Sequence, residues 1–565
     1  MNIKAMLYDV GRDQGGKESY YENLILRLAD YGYNMLIMNL EYRFHFSSHP
    51  GIAMPDSLTP EAVKRLDEFA KKHHIQLVPF MNCAGHCEGI GMTDKYNFLC
   101  ADDDIYKGGV EQLRINQQEA ERFILELYSD LYDCFSGKYF HIGGDEVRRL
   151  DLIYPELEPE KRMQETVMYL NRIIADVKAH GKIPMMWGDM LLKHTGVIDL
   201  LDKDVVVCDW AYFAAPAFKS ISNKESLTFF KKAGFKTIFA NCVATFCANP
   251  LICENSTMNI VFGTKEYNEI FGQEAIGVVT TVWEIQYGSC FDVVWPWLYL
   301  QGRIHKGENC DERSLDFLRE YTFLEWGLPE NDDSLEQWYR LVDIGFTKML
   351  LYEAFLDQSL QTVLEKNMQR PYRMLRMFCT GLFSNRNILP VINTERREWL
   401  NTNILNKMEQ IYREALPFAK SMAERSCKRK EESRHLLQYN QVLLAITGLV
   451  RLEEQFESTY HYAALSQFTD NDTFKQCMQE LQEIYLKMAN CVDVLVEWIE
   501  VLYKDENYAA DACIMIPLAA VDLRARTENI NKIAQGNVPL VQYQRFIRRD
   551  GDLPMMRHIG KDKCR

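Results

Sequence analysis

The sequence predicts an α/β protein in which a (β/α)₈ barrel is followed by a C-terminal α-helical domain. Over about the first 300 residues, short apolar runs alternate with longer amphipathic stretches of helical period. Apolar runs of that length, separated by helical patterns, are typical of βαβ units and a parallel sheet. Eight such runs favour a closed barrel over an open sheet. After about residue 310 the strand-like runs end and only helical patterns follow.

The predicted strands and helices of the barrel alternate along the chain. The strands are the apolar runs at 3–8, 34–40, 75–80, 138–142, 183–187, 205–208, 237–240 and 276–282. The helices between them cover 20–31, 60–73, 116–135, 163–180, 222–233 and 257–271. No GxGxxG turn follows the first strand, which disfavours a dinucleotide-binding sheet.

The second half of the chain is predicted to be helical throughout. Its helical patterns cover 320–326, 335–356, 398–422, 435–456, 474–503 and 509–533. No strict heptad persists over several turns, so these helices are not predicted to form a coiled coil. We therefore divide the chain into a barrel domain, 1–310, and an α-helical domain, 311–565. The helical domain could shape the barrel mouth or mediate formation of a homodimer, and the sequence leaves both open.

Composition restricts the partners and the compartment. A net charge of −16 argues against nucleic acid or an anionic membrane surface as the main partner, whereas a neutral sugar is compatible with it. The sixteen cysteines show no CxxC or zinc-ligand spacing, which is typical of reduced thiols. No apolar run reaches the ~20 residues that span a bilayer. We expect a cytoplasmic protein, although a removed signal peptide would not be visible.

The fourth predicted strand runs into two glycines and two adjacent acids, in the sequence His141-Ile-Gly-Gly-Asp-Glu. Barrel enzymes take their functional groups from the C-terminal ends of strands. Neighbouring strand residues point to opposite faces, so Asp145 and Glu146 reach one cavity only if the glycines allow the chain to turn. Repulsion between the carboxylates raises the pKa of at least one, which suits a proton donor. An isolated acidic pair is more often a solvated loop, or with His141 half of a metal site.

This motif resembles the HxGGDE signature of the family 20 glycoside hydrolases, the β-N-acetylhexosaminidases. The resemblance implies that Glu146 is the general acid/base and that Asp145 positions the acetamido group of the substrate. In this family the acetamido oxygen attacks the anomeric carbon, and water opens the resulting oxazolinium ion with retention of configuration. The expected activity is exo-hydrolysis of terminal β-linked GlcNAc or GalNAc, with no metal and no organic cofactor.

Other strand ends resemble the same family. The first strand ends in Asp9-Val-Gly-Arg12, and the resemblance implies that Arg12 binds sugar hydroxyls through its planar donor fork. The third strand leads to His86, which would lie near the acid, and His141 is a further candidate for substrate binding. Glu41, after the second strand, recurs in the hexosaminidase D-like branch and would pair with His86 or Arg12. A purely structural ion pair or histidine is the alternative for each.

Aromatic residues follow the fifth, sixth and eighth strands. The resemblance implies that Trp187 and Trp210 form walls around the acetamido methyl group and that Tyr212 donates a hydrogen bond to the acetamido oxygen. Aromatic faces suit such a pocket because they exclude water and pack on C–H surfaces. A plain core position is the alternative for each of them.

The sequence departs from the family pattern at two places. A carboxylate is expected two residues after Trp283, but Ile285 stands there and Glu284 comes one residue early. The seventh strand carries Phe246 where a tryptophan is often found. Trp283 and Glu284 remain candidates for binding the outer hydroxyls, and the preference for a gluco- or galacto-configured sugar stays open.

Two other functions are compatible with the same residues. A catalytically degenerate barrel would bind carbohydrate without hydrolysing it. A metal-dependent hydrolase would use His86 and His141 with the two acids, although no HxH or HExxH motif is present.

Overall fold

The computed structural model describes residues 2–11, 15–54, 57–91, 93, 95–101, 112–212, 223–244, 253–283, 291–343 and 406–504, with the single residues 528, 532 and 535. Two predicted binding residues, Arg12 and Glu284, lie outside the described residues. The same holds for Ile285, Phe246 and nearly all of the helix predicted at 509–533.

Eight parallel strands form a closed barrel in sequence order, with the eighth hydrogen-bonded to the first. Every predicted apolar run lies on one of these strands, so the barrel prediction is confirmed. The strands are β1 (Ile3–Asp9), β2 (Met35–Asn39), β3 (Gln76–Phe80), β4 (Tyr139–His141), β5 (Ile183–Trp187), β6 (Val206–Trp210), β7 (Lys236–Ala244) and β8 (Gly277–Val282).

Helices connect the strands and cover the barrel. They are α1 (Glu18–Tyr31), α2 (Pro60–Lys72), α3 (Glu88–Gly91), α4 (Gln118–Tyr132), α5 (Leu150–Ile153), α6 (Pro159–Ala179), α7 (Asp189–Lys193), α8 (Asn223–Lys232), α9 (Cys253–Phe271) and α10 (Trp295–His305). Local signals fix several of their ends. Thr59 caps α2 by accepting the N–H of Ala62, and Pro60 stands in its first turn. α1 ends at Gly32, whose φ of +91° satisfies the left-handed cap.

The sequence prediction missed α10. Nine of its eleven residues are buried, so the helix has no polar face and lacks the amphipathic period that reveals surface helices.

Alternate residues of the strands face two different layers. Ala5 and Leu7 of β1 point into the barrel, where they join Trp187 in one apolar cluster. Met6 and Tyr8 point outward into the larger cluster beneath the helices. Because side chains alternate along a strand, one set of them lies inside the barrel. Aromatic members of that set lie at the C-terminal end of the barrel.

After residue 310 every regular element that the structure describes is helical. These helices are α11 (Phe317–Tyr321), which continues as a π-helical turn over Thr322–Trp326, then α12 (Ser334–Asp343), α13 (Asn406–Arg425), α14 (Lys430–Ser466) and α15 (Asn471–Lys504). The predicted boundary at 310 stays a prediction. None of the described helices has both the length and the apolar character of a membrane span.

Arg27 of α1 joins the barrel to the helical region. Its buried guanidinium donates hydrogen bonds to Glu432 of α14 (2.7 Å) and to Glu325 of the π-helical turn (3.3 Å). It also donates to the hydroxyl of Tyr321 (2.8 Å) and lies 3.9 Å from the ring centroid of Trp295. Several partners therefore offset the cost of burying the charge.

Replacing Arg27 with alanine should destabilise the chain strongly, because the carboxylates of Glu325 and Glu432 would lose their buried cation and keep the half-exposed Arg429. We expect a loss of about 3 kcal/mol, measured as a lower midpoint of thermal unfolding. Arg65→Ala is the matched control, because Arg65 pairs with Glu18 at the surface and should change the midpoint little. Equal effects of the two substitutions would contradict this role of Arg27.

Candidate active site

The chain turns sharply after β4. Gly143 and Gly144 have φ values of +72° and +89°, and Glu146 has a φ of +43°. A side chain on Gly143 would collide with Asn82, because its Cβ would lie 2.0 Å from the Asn82 Oδ1. The turn places the carboxylates of Asp145 and Glu146 side by side, both within 3.5 Å of one histidine nitrogen.

Glu146 is held by groups from three loops. Its Oε2 lies 3.2 Å from the Nε2 of His86 and accepts a 2.6 Å hydrogen bond from Arg148. Its backbone N–H donates to the Oδ2 of Asp189 at 3.2 Å. The hydrogen bond from His86 lowers the pKa of Glu146 to about 2, with the charge of Arg148 adding to it and partial burial opposing it.

Asp145 lies deeper in the barrel. Its side chain is 13% exposed, and its Oδ1 is buried with no hydrogen-bond partner among the described residues. Burial raises the pKa of Asp145, the charges of Asp189 and Glu146 raise it further, and His86 opposes them. The expectation that one carboxyl of the pair has a raised pKa thus holds for Asp145, with burial as the main cause, and not for the predicted proton donor.

Backbone strain is concentrated at the predicted site. Three of the six described non-glycine residues with positive φ are Glu41 (+41°), His86 (+53°) and Glu146. Such conformations cost about 1–3 kcal/mol each and cluster where function requires them. Glu41 is buried at the end of β2 against Gly11, the residue before Arg12. The structure therefore brings the predicted residues of β2, β3 and β4 to one end of the barrel.

Hydrogen bonds fix the loop after β3 against the turn after β4. The hydroxyl of Tyr169 donates to the carbonyl of Cys83 at 2.6 Å. Gln112 donates to the carbonyl of Ala84 at 2.9 Å and accepts the backbone N–H of Arg148 at 2.9 Å. A Cβ on Gly85 would lie 2.8 Å from the carbonyl oxygen of Asp145, so the two loops are in direct contact.

The sequence prediction did not include Gln112, Asp189 or Arg148 among the site residues. Gln112 acts on the turn from 36 residues away, and no local pattern marks it. Asp189 acts from 43 residues away, and its position two residues after Trp187 resembles the WxD pattern of the family. Arg148, two residues after Glu146, is a cation that could have been noticed in the sequence.

The predicted aromatic residues form the inner wall of the site. Trp187 and Trp283 have ring centroids 5.9 Å apart, and the Nε1–H of Trp283 donates to the hydroxyl of Tyr212 at 2.8 Å. Trp210 stacks on Tyr212 with centroids 5.0 Å apart. Burial and, to a smaller extent, the charge of Asp145 raise the pKa of Tyr212, so this phenol lies within electrostatic reach of that carboxylate.

His141 lies beneath the turn. Its Nδ1 accepts the backbone N–H of Gly143 at 3.1 Å, and its ring lies between Phe80 (4.3 Å) and Trp187 (4.6 Å). Burial lowers its pKa to about 3, so the ring is neutral. The hydrogen bond from Gly143 to the His141 ring holds the backbone of the turn in place. Within the described ranges, no three His, Cys, Asp or Glu side chains are arranged to hold a metal ion.

Alanine at Gly143 should disrupt the site more than alanine at Gly181, because only Gly143 faces a close neighbour. Both glycines have a φ of +72°, so both substitutions carry the left-handed strain of about 1–2 kcal/mol. A Cβ at Gly181 would meet nothing within 4 Å. We expect Gly143→Ala to lower the midpoint of thermal unfolding further than Gly181→Ala. Equal midpoints would show that the contact with Asn82 is unimportant.

Comparisons with known proteins agree with this geometry. Residues 35–246 match the model of the glycosyl hydrolase family 20 catalytic domain. The lacto-N-biosidase of Bifidobacterium bifidum is 23% identical over 203 residues, 34% of this chain and 18% of that protein. The beta-hexosaminidase 1 of Coccidioides posadasii is 24% identical over 172 residues, 27% of this chain and 29% of that protein. The chain thus matches less than a third of the length of either curated relative.

Solved structures of β-N-acetylhexosaminidases are also similar to this chain. The exo-β-N-acetylglucosaminidase of Vibrio harveyi is 16% identical, with a TM-score of 0.46 and 57% of each chain covered. The β-N-acetylhexosaminidase of Bacteroides fragilis is 17% identical, with a TM-score of 0.46 and coverage of 57% of this chain and 69% of that one. Membership of the hexosaminidase D-like branch stays a prediction. The match to the family model runs from β2 to β7 and includes the HxGGDE turn after β4.

Proposed function

We propose that the chain is a retaining exo-β-N-acetylhexosaminidase that hydrolyses terminal β-linked GlcNAc or GalNAc with participation of the substrate's acetamido group. The observation that carries the proposal is the placement of two adjacent carboxylates with different surroundings. Asp145 is mostly buried beside the aromatic wall, whereas the Glu146 side chain is 32% exposed towards the barrel mouth.

In the first step, Glu146 gives a proton to the glycosidic oxygen as the bond from that oxygen to the anomeric carbon breaks. The acetamido carbonyl oxygen forms a new bond to the same carbon and produces an oxazolinium ion. Asp145 accepts a hydrogen bond from the acetamido N–H and stabilises the positive charge that develops there. Its unpartnered Oδ1 suits that task, because a buried acceptor without a donor is costly until a ligand supplies one.

In the second step, water attacks the anomeric carbon from the face that the leaving group vacated. Glu146, now ionised, takes a proton from that water, and the bond to the acetamido oxygen breaks. Two inversions at one carbon give net retention. At the end of the first step Glu146 has lost its proton and carries a negative charge. Its low pKa in the free protein means that its surroundings stabilise this ionised form.

The aromatic wall would surround the acetamido methyl group through Trp187 and Trp210. Tyr212 accepts the N–H of Trp283 at 2.8 Å, and its hydroxyl is proposed to contact the acetamido oxygen. Such an enclosed, largely apolar site fits one terminal sugar and therefore favours exo action. Arg12 stays proposed as a ligand of sugar hydroxyls and Glu284 as a ligand of the outer hydroxyls, with Glu41 proposed to pair with His86 or Arg12.

Glu146→Gln and Asp145→Asn should each lower kcat/KM for the 4-nitrophenyl β-N-acetylglucosaminide and β-N-acetylgalactosaminide by about 10²-fold or more. Asp151→Asn is the control, because Asp151 is an exposed acid of the same segment and should leave the rate unchanged. The plain β-glucoside should not be cleaved, since it lacks the acetamido nucleophile. Cleavage of the glucoside at a similar rate would refute acetamido participation, and absence of turnover for both acetamido sugars would favour a binding protein.

The acid limb of the pH profile should lie above the ordinary aspartate pKa of about 3.9. Burial raises the pKa of Asp145, so this carboxyl gains a proton, and stops accepting the acetamido N–H, at a higher pH than a solvated aspartate. His86→Gln should move the limb to still higher pH, because the charge of His86 opposes that rise. The measurement is kcat/KM between pH 3 and 8 (roughly the range of carboxyl and histidine titration), with His180→Gln, whose side chain is 45% exposed, as the control. An acid limb that stays at the same pH in His86→Gln would contradict the assignment of that limb to Asp145.

A further inference from the structure

The ion pair between Arg148 and Glu146 lies on the open side of the site. The Nη2 of Arg148 is 2.6 Å from the Oε2 of Glu146, and the Arg148 side chain is 56% exposed. His86, the other cation in contact with Glu146, is 18% exposed and lies deeper. Arg148 therefore reaches the proposed acid from the solvent side.

This contact opposes the first chemical step of the proposed function, on which the inference rests. A guanidinium next to a carboxylate stabilises its ionised form, whereas Glu146 must carry a proton to release the leaving group. Two further charges face Glu146 from neighbouring elements. Asp189 accepts its backbone N–H, and Lys193 pairs with Asp189 at 3.0 Å. Neither is directed at the Oε2 that Arg148 holds, so Arg148 is the exposed cation that a substrate can draw away.

The position of Arg148 relative to the scissile bond follows from the rest of the site. The terminal sugar would lie inward, between Asp145 and the aromatic wall. Glu146 must reach the glycosidic oxygen, and Arg148 contacts Glu146 from the side towards solvent. Arg148 is therefore placed beside the leaving group and not beside the terminal sugar.

The chemistry of Arg148 indicates what it would bind there. Its guanidinium already holds a carboxylate, that of Glu146, and guanidinium groups match planar carboxylates through paired N–H donors. A carboxylate on the leaving group could replace Glu146 in that contact. The chain carries a net charge of −16, so an anionic leaving group would be repelled by the protein as a whole and needs a local cation to be accepted.

We propose that Arg148 is a specificity-determining residue that binds a carboxylate on the leaving-group side of the glycosidic bond, such as that of an acidic sugar, and in doing so leaves Glu146 free to be protonated. The substrate class is then a terminal N-acetylhexosamine linked to an acidic residue. Substrates with neutral leaving groups are still hydrolysed, but Arg148 then keeps its contact with Glu146 and opposes protonation of that carboxylate.

The test compares 4-nitrophenyl β-N-acetylglucosaminide with its 3-carboxy-4-nitrophenyl counterpart. The quantity measured is the ratio of kcat/KM for the carboxylated over the neutral substrate, in the wild type and in Arg148→Gln. Both proteins act on the same two substrates. The difference in intrinsic reactivity between the two leaving groups therefore cancels when the ratio for the wild type is compared with the ratio for the variant. We expect the ratio to fall by about fivefold or more in Arg148→Gln, the loss typical of one charge-assisted contact.

Arg149→Gln is the matched control, since Arg149 is the next residue, carries the same charge and pairs with Asp151 at 3.4 Å. It should keep the wild-type ratio. A 6-sulfated 4-nitrophenyl N-acetylglucosaminide places the anion on the terminal sugar instead. Its rate relative to the neutral substrate should not change in Arg148→Gln.

A second readout separates this role from a structural one. On the neutral substrate, Arg148→Gln should move the alkaline limb of kcat/KM to higher pH, because Glu146 then keeps its proton longer. An unchanged ratio in Arg148→Gln, or equal losses on both substrates without a shift of the limb, would overturn the inference and leave the proposed function standing. If the wild type hydrolyses no acetamido glycoside, the proposed function fails and this inference fails with it.

Discussion

The site depends on the left-handed turn that follows β4. Two consecutive residues of a strand point to opposite faces, and here both carboxylates face one cavity because Gly143, Gly144 and Glu146 all have positive φ. The turn is also held from outside. Asn82 occupies the space that a side chain on Gly143 would need, and Gly85 allows the β3 loop to approach the carbonyl of the first acid. The loops after β3 and β4 must therefore be packed together before either carboxylate has a defined position.

That packing gives the two acids opposite electrostatic surroundings. Asp145 is buried and its pKa is raised, whereas the hydrogen bond from His86 and the charge of Arg148 lower the pKa of Glu146 to about 2. Pairs of titratable groups whose surroundings move their pKa values apart are characteristic of sites of acid–base catalysis. Here the order is the reverse of what the proposed first step requires, since the proposed donor is the more acidic group. The free protein is thus arranged to receive charge on Glu146, and the substrate must change the surroundings of that carboxyl before a proton can be donated.

The parts of this arrangement that could be predicted from the sequence are those encoded locally. Apolar runs of strand length located all eight strands, and the glycine pair before the acids indicated the turn, because both signals lie within a few neighbouring residues. α10 was missed since it is apolar on nearly every side. Asp189 and Gln112 were missed for a different reason. Each reaches the turn from more than 30 residues away, and their partners are backbone N–H groups, which no sequence pattern identifies. The pairing of Arg148 with the acid likewise exists only once the chain has turned.

The helical region also bears on the site, through α1. Arg27 connects α1 to Glu432 of α14, and in the first turn of α1 the rings of Tyr20 and Tyr21 pack on Tyr8 of β1, with centroids 6.0 and 6.2 Å apart. Tyr8 is the penultimate residue of that strand, three residues before the glycine that contacts the buried glutamate at the end of β2. Contacts with α14 therefore restrain the helix that packs against the C-terminal end of β1. The helical region thus contacts the barrel through α1, which packs next to the end of the barrel that carries the candidate site.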